Sequence, residues 1–90
     1  MRRVHLFISG EVQGVGFRAW VKRLAQKLEI TGWVKNRYDG SVEVIAEGNK
    51  ERLDELIVNC QQGPDVAGVE RVEAQWGKYS GEFPTFQVVY

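Results

Sequence analysis

The sequence predicts an α/β sandwich of the α+β class, ordered strand, helix, strand, strand, helix, strand. Both helices lie on one face of an antiparallel or mixed sheet, and a short extra strand closes the chain. Three observations predict it. Two apolar stripes recur at helical spacing, Phe17-Val21-Leu24-Leu28 and Leu53-Leu56-Ile57-Cys60. Runs of strand-like alternation lie before, between and after them. Between the two middle runs stands Asp39-Gly40, a strong hairpin signal. A chain of 90 residues is one domain by size, taken here as residues 1–90.

The elements follow in order. Val4 to Ser9 reads as the first strand, with Val4, Leu6 and Ile8 on one face and His5, Phe7 and Ser9 on the other. A glycine-rich segment, Gly10 to Gly16, leads into the first helix, whose wet side carries Lys22, Arg23, Gln26 and Lys27. Trp33 to Tyr38 and Ser41 to Glu47 form the hairpin; in the return strand Val42, Val44 and Ala46 oppose Glu43 and Glu47. Asn49 is placed to cap the second helix, with Glu51 in its first turn, and Gly63-Pro64 stops it. Val69 to Trp76 and Phe86 to Tyr90 are the last two strands. This is the split βαβ, ferredoxin-like arrangement. A right-handed crossover runs the first and second strands in one direction with the third between them. Their carboxyl ends then share one sheet edge, where the glycine segment and Asn36 both fall.

Composition narrows the chemistry. Lys and Arg number 12, and so do Asp and Glu, so no net charge draws the protein to nucleic acid or an anionic membrane. Any anion it handles must be gripped locally. Cys60 is the one cysteine and cannot form an internal disulfide, which points to a reducing compartment. Met1-Arg2-Arg3 leads straight into a strand with no signal peptide, and no run has membrane-spanning length, so the cytoplasm is the expected location. His5 and Cys60 are far apart and no spaced His/Cys/Asp cluster exists, so neither metal nor other cofactor is expected.

A strand that turns through Gly10, Gly14 and Gly16 directly into a helix suits an anion. Glycines let successive N–H groups converge, and the helix end adds unpaired amides and partial positive charge. Glycines alone fit a tight strand-to-helix turn equally well, and neither the dinucleotide nor the P-loop pattern is present. Arg18 tips the balance. A cation in a first helical turn opposes the helix dipole at a cost of roughly 0.3–1 kcal/mol, and such breaks of a local rule tend to fall at functional sites. Its planar fork binds two phosphate oxygens at once. Asn36 is disfavoured inside a strand yet common near hairpins. It gains interest only because the fold brings it to the edge occupied by the glycines.

These residues match a known pattern. Gly10-Glu11-Val12-Gln13-Gly14-Val15-Gly16-Phe17-Arg18 resembles the first signature of the acylphosphatases, and Gly32-Trp33-Val34-Lys35-Asn36 with Asp39-Gly40-Ser41-Val42 resembles the second. Phe86 to Tyr90 is similar to the C-terminal strand of that family. The resemblance spans nearly the whole chain. It implies hydrolysis of carboxylic–phosphoric anhydrides to a carboxylate and inorganic phosphate, by in-line water attack and without cofactor. It assigns Arg18 to phosphate binding, Asn36 to water positioning, and the backbone amides of Gln13, Gly14, Val15, Gly16 and Phe17 to the phosphate cradle. Arg37, beside Asn36, is a candidate for leaving-group preference. The expected partners are a small acyl phosphate and its phosphate product, with the protein a monomer. The rival reading is a non-catalytic ligand- or RNA-binding module with Phe7, Trp33, Trp76 or Tyr90 stacking bases. Against it, the third strand is acidic where an RNA-binding strand carries basic and aromatic residues. An accessory domain of a larger protein is a second rival; the chain ends at Tyr90 without a linker, so a free-standing enzyme is the simpler expectation.

Overall fold

In the computed structural model, which describes every residue from Met1 to Tyr90, seven elements follow in order. They are β1 (Arg2–Glu11), α1 (Phe17–Lys27), β2 (Thr31–Asn36), β3 (Val42–Gly48), α2 (Lys50–Gln62), β4 (Gly68–Gly77) and β5 (Phe86–Val89). One sheet contains all five strands in the order β4-β1-β3-β2-β5. β3 runs antiparallel to both β1 and β2, β4 is antiparallel to β1, and β5 lies parallel to β2. α1 packs over β2 and β5, α2 over β3 and β4, which gives the two-layer sandwich expected from the sequence.

The alternation in β1 decides which face is covered. Val4, Leu6 and Ile8 are fully buried under the helices, as are Val34 of β2 and Val42, Val44 and Ala46 of β3. α1 presents Phe17, Val21 and Ala25 to this core, while Leu24 is only half-buried on the flank. α2 contributes Leu53, Leu56 and Cys60. Burial pushes the Cys60 thiol up to about 12, so it is a packed apolar group and not a nucleophile.

Some boundaries differ from the sequence expectation. β2 starts at Thr31 rather than Trp33, because Thr31 and Gly32 pair with Glu47 and Ala46. It ends at Asn36, because residues 37–41 close the turn: the Arg37 N–H donates to the Ser41 carbonyl and the Gly40 N–H to that of Arg37. Asn49 does cap α2, but its side chain makes no capping bond; its carbonyl accepts from Leu53. Trp76 pairs with Val4 and so belongs to the helix side, with Lys50 Nζ 5.4 Å and Arg2 Cζ 5.0 Å from its ring centroid. On the open face, Phe7 and Trp33 already carry cations of this chain, Arg37 at 4.9 Å and Lys35 at 5.4 Å. His5 stacks on Phe7 and lies 2.6 Å from Glu43.

Glu47 is the residue that alternation misplaces. It points to the open face, yet it is 1% exposed, because the β4–β5 connection folds over it. Arg3 Nε, the Ser80 N–H and the Ser80 hydroxyl donate to Oε2 at 2.8–2.9 Å, and the Gly81 N–H donates to Oε1 at 3.1 Å. Burial alone would push this carboxyl up; the Ser80, Gly81 and Arg3 donors outweigh it and hold it below its ordinary 4.5. A depressed carboxyl contributes stability that is present above the unfolded value and fades as pH falls through the folded one. Glu47→Gln is therefore expected to lower stability by about 2–3 kcal/mol at neutral pH. It should also flatten the loss of stability expected of the wild type as pH drops below 4.5. Urea unfolding across that range checks both; equal midpoints at neutral pH would show that the network contributes nothing.

Candidate active site

The connection from β1 to α1 is shaped by its glycines. The β1–β4 register slips between Ser9 and Gly10, and Gly10 takes φ 124°, where an added Cβ would stand 2.2 Å from the Gly68 carbonyl oxygen. Gly16 is the N-cap of α1 at φ 76°; an added Cβ there meets nothing, so glycine is favoured by the backbone angle alone. No side chain caps the first turn of α1 and no acid lies in it. Its free N–H groups and partial positive charge are left facing the loop.

Arg18 and Asn36 line one cleft, together with Val12, Gly14, Gly16, Phe17 and Ala19. Val88 and Tyr90, at the end of the chain, complete its wall. Asn36 reaches it because it shares the helix-covered face of β2 with Val34 and is the last residue of that strand. Its Oδ1 is the one buried side-chain nitrogen or oxygen in the molecule without a hydrogen-bond partner. Leaving such an acceptor unmade costs about 1–3 kcal/mol. Arg18 joins none of the eight ion pairs; its guanidinium carbon lies 4.6 Å from the Tyr90 ring centroid. The cleft thus holds a cation on one wall and an unpaired carboxamide oxygen on another. Small anions and water are the groups that satisfy both.

The residues expected from sequence are not all equal here. Gly14, Gly16, Phe17, Arg18 and Asn36 meet in the cleft, while Gln13 and Val15 do not line it. The Gln13 side chain has another role. Its Nε2 donates to the carbonyls of Arg37 at 2.8 Å and Ser41 at 2.9 Å, pinning the glycine loop to the hairpin that follows Asn36. That hairpin is itself braced: the Ser41 hydroxyl and N–H donate to Asp39 Oδ1 at 2.6 and 2.9 Å and hold the Asp39 carboxyl below its ordinary value. Sequence reasoning missed the Gln13 clamp, since a side-chain bond across 24 residues leaves no periodic trace. From sequence Tyr90 is the end of the last strand and a candidate stacking surface, and neither reading puts it at the cleft. The signal that places it here is parallel pairing: β5 runs beside β2, so the ends of the two strands arrive together.

Comparison with known proteins agrees with this fold. A family model described as Acylphosphatase matches residues 4–88. An acylphosphatase of Pelotomaculum thermopropionicum is 43% identical over 88 residues, which cover 98% of this chain and 96% of that protein. One from Caldanaerobacter subterraneus subsp. tengcongensis is 47% identical over 87 residues, 97% of each. The crystal structure of acylphosphatase from Bacillus subtilis aligns over the full length of both chains at TM-score 0.96 and 34% identity.

Gln13→Glu preserves shape and replaces the amide donor by a carboxylate facing two carbonyl oxygens. It is expected to cost about 1–3 kcal/mol of stability and to speed hydrogen exchange of the loop amides relative to those of β1. Unchanged exchange in the loop would mean that the clamp does not hold it.

Proposed function

This chain belongs to the acylphosphatase family, and on that footing we propose that Arg18 and the loop amides hold the phosphoryl group while Asn36 places the attacking water. It is a hydrolase of acid anhydrides, splitting the carboxyl–phosphate bond of acyl phosphates into a carboxylate and inorganic phosphate. What supports the residue roles above all is the unpartnered Asn36 Oδ1 in the cleft that Arg18 lines.

The reaction proceeds as follows. A water hydrogen-bonded to Asn36 attacks phosphorus in line, the phosphorus–oxygen bond to the acyl group breaks, and the electron pair leaves with the carboxylate. The water's protons pass to phosphate oxygen and solvent. A carboxylic acid has a pKa of about 4, so its anion departs without a protein acid. The cleft is lined by no carboxyl, histidine or cysteine, in keeping with that demand. Positioning and electrostatic stabilisation carry the rate. Arg18 supplies two donors and a full charge, the amides of Gly14, Gly16 and Phe17 in the cleft wall supply further donors, and the α1 dipole adds to both. These groups meet the phosphoryl charge with no metal or cofactor assigned a part.

The same reading takes residues 1–90 as one domain working as a monomer in the cytoplasm; one continuous core and the lone, buried Cys60 support it. No helix is long and apolar enough to cross a membrane. The RNA-binding alternative gains nothing from an open face whose rings are covered by Arg37 and Lys35 and whose Glu43 is acidic.

Two variants separate the roles. Arg18→Ala is expected to abolish both phosphate affinity and turnover of acetyl phosphate. Asn36→Ala is expected to bind phosphate nearly as the wild type does while turnover falls by about 10²–10³. Calorimetry with inorganic phosphate and a hydrolysis assay read the two effects. Near-normal turnover in Asn36→Ala would remove that residue from the mechanism.

A further inference from the structure

Two shallow grooves border the cleft. One has only Asn36 in common with it and runs along the hairpin past Lys35, Arg37 and Glu43. The other opens past Ala19, Val88 and Tyr90 and runs between α1 and β5 to Lys22, Arg23 and Gln26. In-line displacement sends the acyl oxygen away from the water, and therefore away from Asn36. Only the second groove shares a wall with the cleft, through Ala19, Val88 and Tyr90; Lys35 and Glu43 of the first pair across the open face of the sheet. The charges agree with that choice. In the hairpin groove Lys35 and Arg37 already face Glu43 at 4.0 Å and Asp39 at 3.9 Å. α1 instead carries Arg18, Lys22, Arg23 and Lys27 with no acid anywhere along it, and none of the four joins an ion pair. In a chain of zero net charge, this is a local concentration of unspent cations.

We propose that the α1–β5 groove is the acyl subsite and that Lys22 and Arg23 select acyl phosphates bearing a second anionic group on a short aliphatic spacer. The inference rests on Arg18 anchoring the phosphoryl group. Lys22 follows Arg18 by four residues, a helical rise of about 6 Å, and lies one turn further along the same side; Arg23 follows Ala19 by four in the same way and lines the groove beside it. Ala19 and Val88 provide an apolar floor between the two charge centres, and the amides of Gln26 and Gln87 border the far end. Arg37, the candidate from sequence for leaving-group preference, lies over the Phe7 ring on the open face and does not line this groove.

The test compares kcat/KM for succinyl phosphate and acetyl phosphate in the wild type and in Lys22→Gln/Arg23→Gln, whose glutamines keep the helix propensity of the exposed face. The wild type is expected to favour the succinyl substrate by about tenfold, less at high salt, and the double variant to bring the ratio near one. A wild-type ratio near one, or a variant that loses activity equally on both substrates, would overturn the subsite, the latter showing only general steering. If the wild type hydrolysed neither substrate, the parent reading would fall, and this one with it.

Discussion

The insertion of β3 between β1 and β2 is the constraint on which the rest depends. Because β3 runs opposite to both, the carboxyl ends of β1 and β2 are held on one edge, two strand spacings apart, about 9–10 Å. The glycine loop leaves the first of these ends and Asn36 sits at the second. Neither element alone makes a site. The gap between them is wide enough for a small anion and a water, and narrow enough for one side chain to span the rim. Gln13 does so, with its amide in the mouth of the hairpin. The sheet sets the coarse distance and the clamp sets the fine one, which matters where misplacement of a reacting group by 1 Å costs orders of magnitude in rate.

Much of this was legible in the sequence because it is periodic or local. The two helical stripes, the alternation in β1 and β3 and the Asp39-Gly40 turn each leave a short-range signature, and the order of elements then leaves few topologies open. Arg18 and Asn36 stood out for a related reason: each breaks a local preference, a cation at a helix start and an amide in a strand. What stayed hidden is long-range and aperiodic. Glu47 reads as a wet-face residue, and nothing near it announces that Ser80 and Gly81 will fold over its carboxylate. On α1 it is Ala25 that is fully buried and Leu24 that is only partly so, a detail of packing rather than of pattern.

The molecule also shows how a neutral chain manages charge. Where a carboxylate is buried for structure, as at Glu47, the protein surrounds it with donors until it is satisfied. On α1 it does the opposite and leaves cations without partners. Satisfied charge contributes to the fold and has nothing left for a ligand. Unsatisfied charge at the surface costs little in water, yet it remains available to whatever anion enters the adjoining cleft.

The same logic applies at the centre of the cleft, where three local costs coincide. Arg18 stands against the α1 dipole, the first turn of α1 has no side-chain cap, and Asn36 Oδ1 is buried without a donor. Taken singly these are worth roughly 0.3–1 kcal/mol, a few tenths with glycine as the N-cap, and roughly 1–3 kcal/mol, a few kcal/mol together against the 5–15 that holds a typical domain folded. A fold of this size can carry them. On the proposed reading each one changes sign when a phosphoryl dianion and its water enter: the guanidinium and the helix end then attract one charge, the amides gain an acceptor, and the carboxamide gains a donor. Independent defects would have no reason to share one ligand as their remedy. Their convergence at the edge that β3 creates is the physical reason for regarding the cleft as built for phosphoryl transfer.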